Sequence, residues 1–293
     1  MRLGVPSTVA ALIAAASAPT LANTAATSPV RRTRLTPPPP VVTITAREYA
    51  FDGPDSIPSG PTAFRLVSAG REDHFLGLVK LVGSHTLEDY RRELAAKRTP
   101  SWAVSVGGVG TIPPGGSAMT ILDIEPGLYA MACDMEDAHG TPHMLEGMLR
   151  ALTVLPRRTG ASMRAPDLTI DLTEFAFVGR DTLPPGHRII DVHNVGSQPH
   201  MALVWRLAPG RSARAAIHWM ETPSDSSHPV TLAGGTPDLS RGHEAELVLD
   251  LKPGRYLLIC LVDDPADHRP HYAKGMLKEI TVRPAIHRTS ANR

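Results

Sequence analysis

The sequence predicts an all-β protein made of two tandem Greek-key β-sandwiches, each carrying one short helical insert. Three observations point there. A set of motifs recurs after about 126 residues, a period suited to a duplicated domain rather than a solenoid unit. Short apolar runs separated by turn residues fill both copies. Gly (24) and Pro (28) are plentiful among 293 residues, which favours many turns over long helices. The copies read as residues 41–155 and 167–283, with a Pro- and Arg-containing linker at 156–166 and a frayed tail at 284–293.

Residues 1–25 read as an export signal. They have a basic start at Arg2, an alanine-rich apolar stretch, and small-residue cleavage positions around Ala22 and Ala25. Pro6 and Pro19 interrupt the stretch, so the mature chain is expected to lack an integral membrane span and to be periplasmic or secreted. An alanine-rich tail on a cytosolic protein is the plainer alternative. Residues 26–40 end in four prolines and read as an extended linker.

The same elements then follow in each copy. Residues 43–51 and 169–177 alternate like strands with one buried face. Turns ending at Gly60 and Gly186 precede strands at 62–67 and 188–192, and strands at 74–81 and 200–207 come next. Residues 86–96 predict a helix, with Thr86 as N-cap and Leu87, Tyr90 and Leu94 on one face; residues 211–220 are a weaker counterpart. Both inserts end in Gly-Gly, at 107–108 and 234–235. Strands at 118–124 and 245–251 lead into Pro-Gly-x-Tyr turns, and strands at 151–154 and 279–282 close the copies.

Bulk composition excludes several functions. A net charge of +1 and 4% aromatic residues offer neither a basic face nor a stacking platform, so no nucleic-acid partner is expected. The chain has no Gly-rich phosphate loop and no Gly-x-Ser-x-Gly elbow.

The chemistry sits in the repeated motifs. Pro-Gly-Leu-Tyr-Ala-Met-Ala leads to Cys133, and Thr-Pro-His-Met-Leu-Glu-Gly-Met supplies His143 and Met148. In the second copy Pro-Gly-Arg-Tyr-Leu-Leu-Ile leads to Cys260, and Arg-Pro-His-Tyr-Ala-Lys-Gly-Met supplies His271 and Met276. One histidine recurs upstream, as His74 and His200. The offsets are 126 for that histidine, 127 for the cysteine and 128 for the second histidine and the methionine. The only two cysteines of the chain therefore share one repeat position. Thiolate and thioether are soft and favour Cu(I), whereas imidazole serves both oxidation states. Two His, one Cys and one Met thus form a set suited to one copper ion, once per copy. Two plainer readings stand beside it: cysteine and methionine as core packing, and a Cys133–Cys260 disulfide, which needs Cα atoms within about 6 Å.

These motifs resemble those of the cupredoxins, the blue copper proteins. The resemblance covers most of both copies and implies a copper ion in each domain, held by His74, Cys133, His143 and Met148 and by His200, Cys260, His271 and Met276. It also implies electron transfer with a redox partner protein. The loops depart from the small carriers, since nine and ten residues separate each cysteine from its second histidine. That is closer to copper nitrite reductases, which also have two such domains. The loops are acidic, with Asp134, Glu136 and Asp137 in one and Asp263, Asp264 and Asp267 in the other, and each holds a spare histidine, His139 or His268. The catalytic relatives place a histidine beside the type 1 cysteine and carry His-x-His pairs. Here the neighbours are Ala132 and Asp134, then Ile259 and Leu261, and no His-x-His occurs, so no enzyme activity is expected. The sequence therefore reads as an exported copper-binding electron carrier. The alternatives are a copper-free interaction module and a copper-holding protein without a redox role. The sequence sets no oligomeric state.

Overall fold

The computed structural model describes residues 37–222 and 228–284. The segment read as an export signal, the first part of the proline linker and nearly all of the tail lie outside the described residues. No helix among the described residues is long and apolar enough to cross a membrane.

The first half contains β1 (Val41–Arg47), β2 (Ala50–Asp52), β3 (Ser56–Ser68), β4 (His74–Leu81), α1 (Leu87–Ala95), β5 (Ala103–Ile112), β6 (Ser117–Ile124), β7 (Gly127–Ala132), α2 (His143–Glu146) and β8 (Leu149–Arg158). The second contains β9 (Leu168–Thr173), β10 (Ala176–Gly179), β11 (Thr182–Leu183), β12 (Gly186–Asn194), β13 (His200–Leu207), α3 (Ala213–Glu221), β14 (Val230–Leu239), β15 (Glu244–Leu251), β16 (Gly254–Ile259), a 3-10 turn (His271–Lys274) and β17 (Leu277–Val282).

Each half is a sandwich of two sheets. In the first, one sheet runs β2-β1-β3-β6 and the other runs β8-β7-β4-β5. Strand β3 serves both: Ser56–Ser59 pairs with β8, and the chain then crosses to the facing sheet at Gly60, whose φ of 101° few other residues adopt. The second half repeats this with β10-β9-β12-β15 and β11-β17-β16-β13-β14.

Strand β4 is buried on both faces, which explains its nearly unbroken apolar run. Leu76 and Leu78 enter the central core, while Val79 and Leu81 pack under Tyr90 and Leu94 of α1. The Thr86 hydroxyl accepts the Asp89 amide and the Asp89 carboxylate accepts the Thr86 amide, so a capping box starts α1 where the sequence placed it. Helix α3 covers Leu203, Trp205 and Leu207 in the same way.

Three local expectations need correction. Residues 43–51 and 169–177 are not single strands. Each breaks at a Glu-aromatic turn in which Tyr49 and Phe175 take φ of 59°. The Gly-Gly pairs do not end the inserts but lie inside β5 and β14. Their missing side chains let strands approach closely: a Cβ on Gly108 would sit 1.9 Å from the Leu76 carbonyl oxygen. Finally, each half has a second helical turn, α2 or the 3-10 turn, which carries the second histidine.

The two sandwiches are joined along a strand seam. Met119, Thr120 and Ile121 of β6 pair antiparallel with Val248, Leu247 and Glu246 of β15. Thr120 and Leu247 are repeat counterparts, and the flanking pairs are each other's mirror. The halves thus meet through the same patch, as subunits do in an isologous dimer. Gly108 N–H donates to Thr236 Oγ1 at 3.2 Å and Thr120 Oγ1 donates to the Gly235 carbonyl at 3.3 Å, tying the seam on both sides.

Glu246 is an ill-matched member of this seam. It is 4% exposed, and Oε2 has no hydrogen-bond partner in the structure. Burial first, then Asp191 and Glu244, push its carboxyl up to about 7. The folded form then holds a proton that the unfolded chain releases above its ordinary value of 4.5. Stability is therefore unaffected below that pH, falls as pH rises towards 7 and stays reduced above it. Replacing Glu246 by Gln is expected to raise stability by up to roughly 3 kcal/mol at pH 8 and by little at pH 4. Urea denaturation at the two pH values checks this; an equal gain at both would rule out ionisation as the cause.

Candidate metal centres

The first histidine opens a strand in each half, His74 in β4 and His200 in β13. Each cysteine lies one residue past the end of the neighbouring antiparallel strand, β7 or β16. Antiparallel pairing brings the start of one strand to the end of the other, so histidine and cysteine meet at one end of the sandwich.

The acidic loops fold so as to return the second histidine to the cysteine. Asp137 Oδ1 accepts the amides of His139 and Thr141, both at 2.8 Å, and Asp264 Oδ1 accepts the Ala266 amide at 2.8 Å. Short bridges Glu136–Pro142 and Asp263–Pro270 close the loops into narrow hairpins. His143 N then bonds to the Met135 carbonyl and Met144 N to the Cys133 carbonyl; His271 N bonds to that of Val262 and Tyr272 N to that of Cys260. Asp137, Asp264 and Asp267 are turn formers here. His139 and His268 take no part in either cluster.

Each half thus gathers a buried trio: His74, Cys133 and His143, and His200, Cys260 and His271, with donor atoms within 4.8 Å of one another. Cys133 Sγ lies 3.8 Å from His143 Nδ1, and Cys260 Sγ lies 3.5 Å from His271 Nδ1. His200 Nδ1 and His271 Nδ1 are 3.1 Å apart. A first-row metal bonds imidazole at about 2.0 Å and thiolate at about 2.3 Å, so donors at this spacing suit one shared ion. Met148 and Met276 are fully buried, and the carbonyl of each accepts the amide of its cysteine, which sets the two backbones side by side. Both cysteines are free, so the disulfide reading is excluded.

The electrostatics fit a cation site. Burial pushes both thiols up to about 12, and burial, then His271, pushes His200 down to about 4. Without metal both thiols therefore keep their protons, and a soft cation taken up by a thiol must displace one. Both nitrogens of His74 are buried without a hydrogen-bond partner, as is Nε2 of His200. Buried polar atoms are rarely left so. A backbone amide donates to each sulfur, Phe75 N at 3.5 Å and Met201 N at 3.4 Å.

The Glu-aromatic turns roof both sites, and sequence analysis missed them. Glu48 Oε1 accepts the amides of Arg71 and Glu72 and lies 3.9 Å from His74 Nε2. Tyr49 packs on His143 with ring centres 5.0 Å apart, and Phe175 packs edge-on against His271 at 5.2 Å. Glu174 accepts the Ser197 amide as Glu48 does that of Arg71. Gly70 and Gly196 let the loop pass over the first histidine, because a Cβ on either would meet Nε2 at 2.7 Å. The left-handed backbone costs an aromatic residue about 1–2 kcal/mol, a strain retained at both sites. The available signal was the repeat itself, Glu-Tyr-Ala-Phe at 48–51 and Glu-Phe-Ala-Phe at 174–177.

No protein-family model matches the sequence, and no curated protein is significantly similar to it. Solved structures similar to the chain include dithionite-reduced auracyanin from the photosynthetic bacterium Roseiflexus castenholzii, at 21% identity over 40% of this chain and 95% of that one, with a TM-score of 0.29. Copper nitrite reductase from Nitrosomonas europaea matches at 15% identity over 83% of this chain and 93% of that one, TM-score 0.25. A copper-containing nitrite reductase from Thermus scotoductus matches at 15% identity over 83% and 62%, TM-score 0.24.

Proposed function

We propose that each half binds one copper ion in a type 1 site and that the protein carries electrons. The observation that carries this reading is the duplicated buried trio of one thiol and two imidazoles, in which both nitrogens of His74 and Nε2 of His200 have no hydrogen-bond partner. His74, Cys133, His143 and Met148 would hold the metal in the first half, and His200, Cys260, His271 and Met276 would do so in the second. Copper so bound supplies a one-electron couple with little change of geometry between states.

The chain's own residues do the rest. Amides of Phe75 and Met201 donate to the sulfurs, which steadies thiolate charge. The Glu-aromatic turns and full burial of both histidines keep water from the donors. No imidazole stands beside either cysteine in the sequence to link it to a second metal, which favours a carrier over an oxidase or reductase. Export to the periplasm or beyond belongs to the same reading and rests on the N-terminal sequence.

Titrating the metal-free protein with Cu(II) tests the reading. Intense thiolate-to-copper absorption that saturates at one equivalent per half is the expected result. A titration without that absorption removes the copper carrier and leaves a copper-free sandwich module.

A further inference from the structure

The two centres share a donor set but not the charges around it. Glu72 and Gln198 occupy the same repeat position, 126 residues apart like His74 and His200. Glu72 Oε2 lies 2.9 Å from His143 Nε2, and Gln198 Oε1 lies 3.0 Å from His271 Nε2. In both halves the second histidine turns Nδ1 towards the thiol and Nε2 towards this side chain. The contact is the same, yet one oxygen belongs to a carboxylate and the other to a neutral amide.

A second pair differs in the same sense. Glu146 and Lys274 are 128 residues apart, the offset of the second histidines, and each lies in the helical turn that bears its histidine. Glu146 acts electrostatically on Tyr49, the ring that covers His143. Lys274 pairs with Asp264 and Asp267 and sits 4.9 Å from the centre of the Phe175 ring that covers His271. Asp73 against Pro199 and Asp134 against Leu261 add further negative charge to the first half. Arg71 against Ser197 opposes them; Arg71, Asp134 and Glu146 are all exposed to solvent, where charge is screened, so the buried contact of Glu72 with His143 carries the difference.

We infer that the centres are tuned apart, with Glu72 lowering the reduction potential of the first and Gln198 leaving the second higher. This rests on the copper reading. The oxidised ion carries one more positive charge than the reduced ion, so an adjacent carboxylate favours the oxidised state. A carboxylate facing the outer nitrogen also makes the imidazole a stronger donor, which acts in the same direction. An amide lacks the charge. A single electron given to the doubly oxidised protein therefore resides in the second half.

Cys260→Ser isolates the first centre and Cys133→Ser the second. Each copper-loaded variant is titrated with a one-electron reductant while its charge-transfer absorption is followed. The second centre is expected to have the higher potential. In these backgrounds Glu72→Gln is expected to raise the first potential and Gln198→Glu to lower the second. Each exchange should change the Cu(II)-to-Cu(I) affinity ratio on the order of tenfold, or about 59 mV for one electron. A merely structural role would weaken both oxidation states alike and leave the potential in place. Should a serine variant not fold, wild type titrated with ascorbate is expected to bleach in two steps that Glu72→Gln draws together. Equal potentials, the reverse order, or exchanges without effect overturn the tuning while leaving copper binding intact. Absence of charge-transfer absorption in wild type overturns both.

Discussion

Cys260→Ser is expected to remove all charge-transfer absorption from the second half and leave that of the first. The thiol is fully buried and faces His271 Nδ1 and the Met201 amide, so no other soft donor replaces it except Met276. A serine hydroxyl is hard, and its ionisation in this buried setting is prohibitive. Copper-loaded wild type and variant, compared by absorption and electron paramagnetic resonance, give the readout. Retention of the full blue intensity would show that Cys260 is packing rather than ligand.

Gly108→Ala is expected to have the largest effect on stability. The new Cβ would lie 1.9 Å from the Leu76 carbonyl oxygen, and the φ of 146° is unfavourable for any side chain. Both partners are backbone, so the strand itself has to move, breaking the Gly108–Thr236 bond across the seam. A loss of about 3 kcal/mol or more follows from the strain and the broken bond together. Gly115→Ala is the control, with φ of 70° and nothing within 4 Å; it should cost only about 1–2 kcal/mol. Denaturant unfolding of both variants separates clash from backbone strain. Because Leu76 is two residues from His74, Gly108→Ala should also perturb the first centre more than the second.

Most of the fold was legible because the duplication prints each element twice. The capping box of α1, the Pro-Gly-x-Tyr turns and the strand alternation are local signals, and the structure has each of them where the motifs lie. The trio His-Cys-His was legible for the same reason: its spacing repeats in register. Three features were not. The break at Tyr49 and Phe175 carries no Gly or Pro, and its cause is a carboxylate reaching amides 23 residues away, a tertiary effect that alternation does not encode. The Gly-Gly pairs looked like loop ends because close approach between strands is invisible in one strand's sequence. The seam between the halves could not be read, since β6 and β15 have ordinary strand patterns on both sides of it.

The mirrored pairing of Thr120 with Leu247 at that seam has a further consequence. In a true homodimer one stretch of coding sequence specifies both partners, so a substitution favourable at one site is imposed on its twin. Fusing the partners into one chain lifts that constraint while preserving the shared contact surface. Positions 72 and 198, or 146 and 274, are then free to drift apart, and a symmetric scaffold comes to hold two unlike sites with a built-in polarity.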